Sequence, residues 1–373
     1  MNVQLRSRLA QRLDGEIAAT AAMPARCAVL QVQRAILWLR HGREAEARAE
    51  LNRLQASALA NPRIELAAWL HLAEGLVAYF GAFGGGACER VRRARVMANA
   101  VGLNTLQTLC DAWLAQMAFV DRDIDQLVGH ATAVLAAHAD PAASCRVASA
   151  LGMAWDLSEN QAAAAHWYAW GRRGATTEGD DASLAALLYN QMQMRALRIR
   201  HAALAGAPGE APAVMLGVDS IGNFDGAVGG SARADLTPLL RAQLLTMRGD
   251  FAAAARLLEA HLPTAMSSGL ARVGYSLLAD LAWCWANTGE PLRARALADQ
   301  AAVEVLAEDA AYCDLDECAV LHARLAQVYA KLGEEALAAR EAEAATVSWV
   351  QDAAQRRHWA ERLTAAGLGT PPR

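Results

Sequence analysis

Apolar residues recur along most of the chain at the three-to-four-residue spacing of an amphipathic helix, and short polar turns separate the apolar stretches. The pattern is clearest in residues 30–51, 239–262, 277–301 and 321–344. Each of these stretches holds one glycine between two helical segments, at Gly42, Gly249, Gly289 or Gly333. Because glycine readily adopts the left-handed conformation that ends a helix, the pattern predicts a series of helical hairpins.

When the four stretches are aligned on these glycines, small and large residues fall at fixed positions. The residue seven before the glycine is alanine in each stretch, namely Ala35, Ala242, Ala282 and Ala326. The residue five after it is alanine too, namely Ala47, Ala254, Ala294 and Ala338. The residue four before it is bulky, namely Trp38, Leu245, Trp285 and Tyr329. Small residues at both alanine positions allow antiparallel helices to approach closely.

This order of small residue, large residue, glycine turn and second small residue resembles the tetratricopeptide repeat. Residues 151–168 and 115–127 fit the same register without a glycine at the turn. The turns fall near residues 42, 84, 122, 159, 249, 289 and 333, mostly 37 to 44 residues apart, whereas the family period is about 34. The resemblance implies an all-α, right-handed superhelix, or α-solenoid, of about eight antiparallel hairpins, similar to long-repeat bacterial members of the family.

We expect one continuous solenoid with an interruption. Residues 1–204 form the predicted N-terminal hairpins, including a first helix over 181–204, and residues 236–373 form the C-terminal hairpins. Between them, residues 205–235 are rich in glycine and proline and are predicted to be an insertion or lid. A last helix over 351–366 is predicted to cap the array, with Gly367 just past its end. The pairs Asn61-Pro62, Asp140-Pro141 and Thr237-Pro238 predict helix starts.

Composition narrows the choice of function. The 89 alanines among 373 residues favour helix throughout, and the 54% hydrophobic and 20% charged residues exclude an intrinsically disordered chain. A net charge of −4 argues against a nucleic-acid partner. No apolar run is long enough for a membrane span, and the first residues lack the pattern of a secretory signal. Seven scattered cysteines favour reduced thiols, so the sequence predicts a cytoplasmic protein.

The candidate chemical motifs are incomplete. Cys313, Cys318 and His322 have no fourth zinc ligand at a usual spacing, and residues 121–126 lack the glycine and glutamate of a calcium loop, which leaves a helix turn with an acidic cap. The glycines at 84–86 lack the lysine and hydroxyl of a phosphate-binding loop. No nucleophile elbow or Cys/His pair is recognisable. We therefore predict no metal, no cofactor and no enzymatic activity.

Two further patterns have alternative interpretations. Arginines cluster in two helices, as Arg90, Arg92, Arg93 and Arg95 and as Arg195, Arg198 and Arg200 beside His201. A solvated helix face is the simpler interpretation, and contact with an acidic partner or a phosphate is the alternative. The aromatic residues within 166–170 are predicted to pack between hairpins, with a ligand cage as the alternative.

The resemblance also implies a binding surface, because the first helices of tetratricopeptide hairpins line the concave groove. Residues six before each turn are then expected to face the groove, namely Ile36, Gln116, Met153, Gln243, Trp283 and Gln327. Ser149, ten before its turn, joins them, with Arg146, Asn190 and Gln193 nearby. This mixed apolar, amide and aromatic surface suits a protein segment or peptide with apolar anchors.

The sequence thus predicts a non-enzymatic protein-binding or peptide-binding scaffold of unknown partner. The alternative is a ligand-sensing regulatory module of a bacterial signalling or transcriptional system. In that case the groove would bind a small molecule and the change would pass to a separate output protein.

Overall fold

A computed structural model describes residue 5 and residues 7–82, 86–137, 140–204, 236–267, 271–304 and 314–372. Within these ranges the protein is all-α, as predicted, and contains no strand. The helices are α1 Arg8–Ala19, α2 Pro24–Arg40, α3 Glu44–Ala60, α4 Ile64–Ala82, α5 Ala87–Ala100, α6 Asn104–Val120, α7 Ile124–Ala137, α8 Pro141–Leu157, α9 Gln161–Glu178, α10 Asp181–Leu204, α11 Leu236–Arg248, α12 Phe251–Ala265, α13 Ala271–Asn287, α14 Pro291–Glu304, α15 Leu315–Lys331 and α16 Glu335–Ala365. None of them has both the length and the apolar character needed to cross a bilayer.

The described residues form two compact units. The first unit contains the residues up to Gln191 together with those from Trp359 onward, and the second contains the residues from Met192 to His358. One boundary therefore falls inside α10 and the other inside α16. The predicted insertion at 205–235 lies outside the described residues, so its predicted role stays a prediction.

Helix contacts in each unit follow the order of the chain. In the first unit α2 packs on α3, α4 on α5, α6 on α7 and α8 on α9, and in the second α11 packs on α12 and α13 on α14. Helices two apart also touch: α2 contacts α4, α6 contacts α8, α11 contacts α13 and α13 contacts α15. Each unit is therefore built from neighbouring helical hairpins whose first helices lie side by side.

The turns of the hairpins share one backbone geometry. Gly42, Gly249, Gly289 and Gly333 all have a positive φ of 75° to 86°, as the sequence predicted. The next residue donates its N–H to the carbonyl five residues back, for example Arg43 to Trp38 at 2.9 Å. The turns without glycine use the same geometry, because Arg122 and Glu159 have φ values of 57° and 63°.

The aligned small residues lie where helices meet. The alanines at both predicted positions are fully buried in the hairpins that contain Gly42, Gly249 and Gly289, and they are half-buried in the hairpin that contains Gly333. Gly152 occupies the first of these positions in the hairpin of α8 and α9. A Cβ atom on Gly152 would lie 2.6 Å from the Tyr168 ring, so this contact requires glycine. Small size at these positions therefore sets how closely the helices approach.

Several predicted helix ends differ from the structure. The predicted start of α10 and its end at Leu204 are confirmed, and so is the cap at Asp140, whose side chain accepts a hydrogen bond from the Ala142 N–H at 2.8 Å. The other two proline pairs do not start helices: α4 begins at Ile64, after Pro62, and α11 begins at Leu236, before Pro238. In both places the helix start differs from the predicted one by only one or two residues.

The separate capping helix over 351–366 is wrong as predicted. The structure has one helix, α16, from Glu335 to Ala365. Neither glycine nor proline occurs between these residues, so nothing in the backbone stops the helix where the repeat pattern would end it. Gly367 does follow its end with a φ of 71°.

Candidate functional site

The structure brings several of the predicted groove residues of the first unit together on α6, α8 and α10. The Asn190 side-chain amide of α10 donates to the Ser149 hydroxyl of α8 at 3.0 Å. One turn before Ser149, the Arg146 guanidinium lies over the ring of Trp113 on α6, at 3.9 Å from its centroid. Side chains from three first helices thus meet at one place, which we call the Arg146 site: Trp113, Gln116, Arg146, Ser149 and Asn190.

The charge of Arg146 is not neutralised locally. Among the described residues it has no hydrogen bond and no ion pair, and its guanidinium stacks on the ring of Trp113. Burial, together with the nearby charge of Arg40, lowers the pKa of Arg146 to about 10, so the side chain remains charged at neutral pH. Protein surrounds the side chain deeply, yet part of it still reaches solvent.

The neighbouring Arg40 differs from Arg146 because it has a carboxylate partner. Its Nη2 atom lies 2.8 Å from both oxygens of Asp180 and also donates to the Ser183 hydroxyl. Burial alone would raise the pKa of Asp180, but the charge and hydrogen bonds of Arg40 hold it below its usual value. This pair is therefore neutral overall, and Arg146 supplies the net positive charge of the site.

The rest of the Arg146 site is aromatic and amide in character. The Trp113 ring packs edge-on against Tyr79 and Phe80, at centroid distances of 5.8 and 5.7 Å. One turn from Trp113, the buried amide oxygen of Gln116 has no hydrogen-bond partner within the part of the chain that the structure describes. Two other predicted groove residues of this unit, Ile36 and Met153, are buried among apolar side chains.

In the second unit the predicted groove residues gather around Arg324 of α15. The guanidinium of Arg324 lies 5.6 Å from the ring centroid of Trp283 on α13 and donates to the Gln327 side-chain oxygen at 2.6 Å. Trp283 and Gln327 are both half-buried, so part of each reaches solvent. Gln243 on α11 is also half-buried, whereas Gln193 on α10 is exposed.

Beneath this surface lies a buried network of charges that the sequence did not predict. Asp280, only 1% exposed, accepts hydrogen bonds from Arg200 and from Arg324, each at 2.7 Å. Arg200 also lies 3.2 Å from both the Glu317 carboxylate and the Ser276 hydroxyl. Two arginines and two carboxylates thus meet inside the second unit, and we call these four residues the Asp280 network.

Glu317 is the unusual member of the Asp280 network. Burial raises the pKa of Glu317 to about 7, and the charge of Arg200 opposes this rise only in part. The Ser276 hydroxyl donates to the same carboxylate oxygen at 2.5 Å. The protonation of Glu317 is therefore coupled to the stability of this network near neutral pH.

The arginine clusters divide into different environments. On α5, Arg93 pairs with Glu89 at 2.9 Å and Arg95 with Asp111 at 2.7 Å, while Arg92 is exposed. Arg200 is almost completely buried, so the solvated-face interpretation is wrong for this residue. Its carboxylate partners stand 80 and 117 residues away in the chain. Asp280 does interrupt an apolar helical stretch, and that interruption was the local signal available.

The other candidate motifs behave as structural features. Within residues 166–170, Trp167 and Tyr168 are buried, as predicted for core positions. The Asp123 side chain caps the turn at residues 121–126 by accepting from the Gln126 N–H at 3.0 Å. Cys313 lies outside the described residues, and His322 pairs with Glu341 at 2.7 Å. Among the residues that the structure describes, no group of three potential ligands could hold a metal ion.

Comparison of the chain with known protein families gives no match, and no curated protein matches it either.

Proposed function

We propose that this chain is a non-enzymatic, cytoplasmic binding scaffold of the tetratricopeptide-like type, in which the first helices of successive hairpins present a groove to a protein segment or peptide. In this proposal the hairpins within each unit stack as in a right-handed superhelix. The proposal accounts for the repeated glycine turn, the two small positions and the contacts between helices two apart.

One observation carries the proposal. Side chains that the repeat register assigns to the groove contact one another, or share a partner, across neighbouring first helices. Asn190 reaches Ser149 across α10 and α8, and Trp283 and Gln327 share Arg324 across α13 and α15. Half-buried aromatic and amide side chains of this kind supply apolar anchors and orienting hydrogen bonds for a peptide.

Selection from a displayed library of short random peptides against the immobilised full chain tests the proposal. A selected peptide should lose at least about tenfold in affinity on Trp283→Ala, because a half-buried tryptophan is a frequent binding anchor. Trp285→Ala is the matched control: Trp285 is half-buried on the same helix, but it stacks on Arg293, at 3.9 Å, and is not assigned to the groove. Failure to enrich any peptide, or an equal loss in both variants, would contradict the proposal.

The sensor alternative is favoured by the composition of the Arg146 site, since a half-buried cation stacked on an aromatic ring suits a small anionic molecule. A thermal-shift screen of the full chain with nucleotides and metabolites separates the two functions. A saturable rise in melting temperature with one small molecule would favour the sensor, because a ligand that binds only the folded state stabilises that state.

A further inference from the structure

We infer that Arg146 is a carboxylate-binding residue: its guanidinium, stacked on Trp113 beside Ser149 and Asn190, is placed to bind the carboxylate of an organic ligand. The inference rests on the proposed function only in requiring that a ligand reaches this face of the first unit. The inference adds to the proposed function the chemical class of the ligand group that binds at Arg146, which is a carboxylate.

First, Arg146 differs from comparable arginines in charge balance. Arg200 and Arg324 are buried and Arg40 is half-buried, and each of these three contacts at least one carboxylate at 2.7 to 2.8 Å. Arg146 is half-buried, like Arg40, but has no such partner among the described residues. An unpaired charge held within protein is unfavourable unless something compensates it, so a bound anion would remove the imbalance.

The second argument is the geometry of the guanidinium. The indole of Trp113 covers one flat face of Arg146 at 3.9 Å. Stacking leaves the N–H groups at the edge of the guanidinium plane free to donate, and two parallel N–H groups match the two oxygens of a carboxylate. Ser149 and Asn190, which already hydrogen-bond each other, lie one helical turn along α8 and on the adjoining α10. They extend the polar surface beside the cation.

The third argument concerns the kind of anion. The site holds one uncompensated positive charge, because Arg40 is matched by Asp180. A carboxylate carries a single negative charge and balances it, whereas a phosphate ester dianion would leave an excess of negative charge. The half-buried rings of Tyr79 and Phe80, which pack against Trp113, suit the apolar remainder of an organic acid.

Titration of the full chain with simple acids, followed by the indole N–H signal of Trp113 in NMR spectra, tests the inference. Trp113→Phe identifies that signal. Phenylacetate should shift it saturably within tens of millimolar, whereas the neutral analogue phenylacetamide should not. Arg146→Gln and Arg146→Met should weaken phenylacetate binding at least about tenfold, the effect of losing a charged hydrogen-bonding pair. Arg92→Gln, which removes an exposed arginine from α5, should bind phenylacetate normally.

Several outcomes would overturn the inference: no saturable shift with phenylacetate, an equal shift with phenylacetamide, or unchanged binding in both Arg146 variants. Tighter binding of phenyl phosphate than of phenylacetate would assign the site to phosphate and would also overturn the inference. The comparison of probes on the unmodified chain remains decisive even if both variants unfold. Because the probes are small acids, a failed peptide selection leaves this result intact, and a failed titration does not affect the peptide selection.

Discussion

At the scale of single residues, Gly152 shows how little space separates α8 from α9. An added Cβ atom would lie 2.6 Å from the Tyr168 ring, and Tyr168 is itself buried. We therefore expect Gly152→Ala to lower the free energy of unfolding by about 1 to 3 kcal/mol through overpacking. Thermal or urea unfolding measures the change. Gly174→Ala is the control, because nothing lies within 4 Å of its added Cβ, and it should stabilise α9 by up to about 1 kcal/mol.

Equal effects of the two alanine substitutions would show that the close contact with Tyr168 does not determine the packing of this hairpin. Stabilisation by Gly152→Ala would show that the Tyr168 ring can move aside and that this position accepts the alanine found at the aligned positions, which contradicts the requirement for glycine.

The pH dependence of stability can be predicted for Glu317. Burial raises its pKa in the folded protein from the ordinary 4.5 to about 7, so the folded state binds a proton that the unfolded chain has already released. The favourable contribution of this group is therefore complete below about pH 4.5 and is lost as the pH rises towards 7. The unfolding free energy of the unmodified chain minus that of Glu317→Gln should therefore decrease as the pH rises from about 5 to about 8.

Urea unfolding at a series of pH values measures this difference. Glu341→Gln supplies a control of opposite sign. Burial tends to raise the pKa of Glu341, but its hydrogen bonds with His322 and Arg340 hold it below its usual value. Its stabilising contribution is therefore present above about pH 4.5 and is lost as the pH falls. A constant difference for Glu317→Gln across the range would show that Glu317 has an ordinary pKa in the folded protein.

The residues of the candidate site differ in how far the sequence predicts them. The repeat register assigns Ser149 to the groove, and the sequence places Arg146, Asn190 and Gln193 near it; the structure brings Ser149 together with Arg146 and Asn190. The register gives spacing along helices, but it contains no information on which side chains form ion pairs. For that reason the Asp280 network was not predicted, because it joins charges on α10, α13 and α15 through long-range packing.

At the scale of helices and turns, the hairpin turn depends on backbone conformation more than on residue type. Glu159 adopts a φ of 63°, a conformation that is unfavourable for any residue with a Cβ atom. We expect Glu159→Gly to raise the free energy of unfolding by about 0.5 to 1 kcal/mol by relieving this strain. Gly289→Ala provides the reciprocal change. The φ of Gly289 is 86°, and an added Cβ atom would meet no atom within 4 Å. Any decrease in the free energy of unfolding would therefore come from backbone strain alone.

Chemical denaturation of the two variants tests the equivalence of these turns. Gly289→Ala should destabilise by about 1 kcal/mol. If Glu159→Gly were destabilising by a similar amount, side-chain contacts of Glu159 would outweigh the strain, and the turn with glutamate would not be equivalent to the turns with glycine.

The helices also show which boundary signals are reliable in this sequence. Glycine at the end of a helix was dependable, since Gly42, Gly249, Gly289, Gly333 and Gly367 all take positive φ. The repeat pattern alone did not predict helix ends reliably, because α16 continues through the expected end of its hairpin to Ala365. Where no residue disrupts helical hydrogen bonding, helix propagation continues and burial decides which part of the helix packs.

At the scale of the whole molecule, the two units differ in how their buried and half-buried charges are paired. In the first unit the uncompensated charge of Arg146 is placed near a partly open surface. In the second unit the buried arginines and carboxylates compensate one another within the Asp280 network. The net charge of −4 gives no indication of this difference, since it depends on the pairing of individual side chains.

The last described residues of the chain have a consequence for the order of folding. The carbonyl of Leu368 accepts hydrogen bonds from the buried indoles of Trp155 and Trp167, at 2.8 and 2.9 Å and across 213 and 201 residues of chain. While the ribosome synthesises the chain, these two indoles have no carbonyl to bind until residues 359–372 have emerged. The residues of the second unit, from Met192 to His358, are made before that point. The hydrogen bonds that complete the first unit can therefore form only after the whole of the second unit has been synthesised.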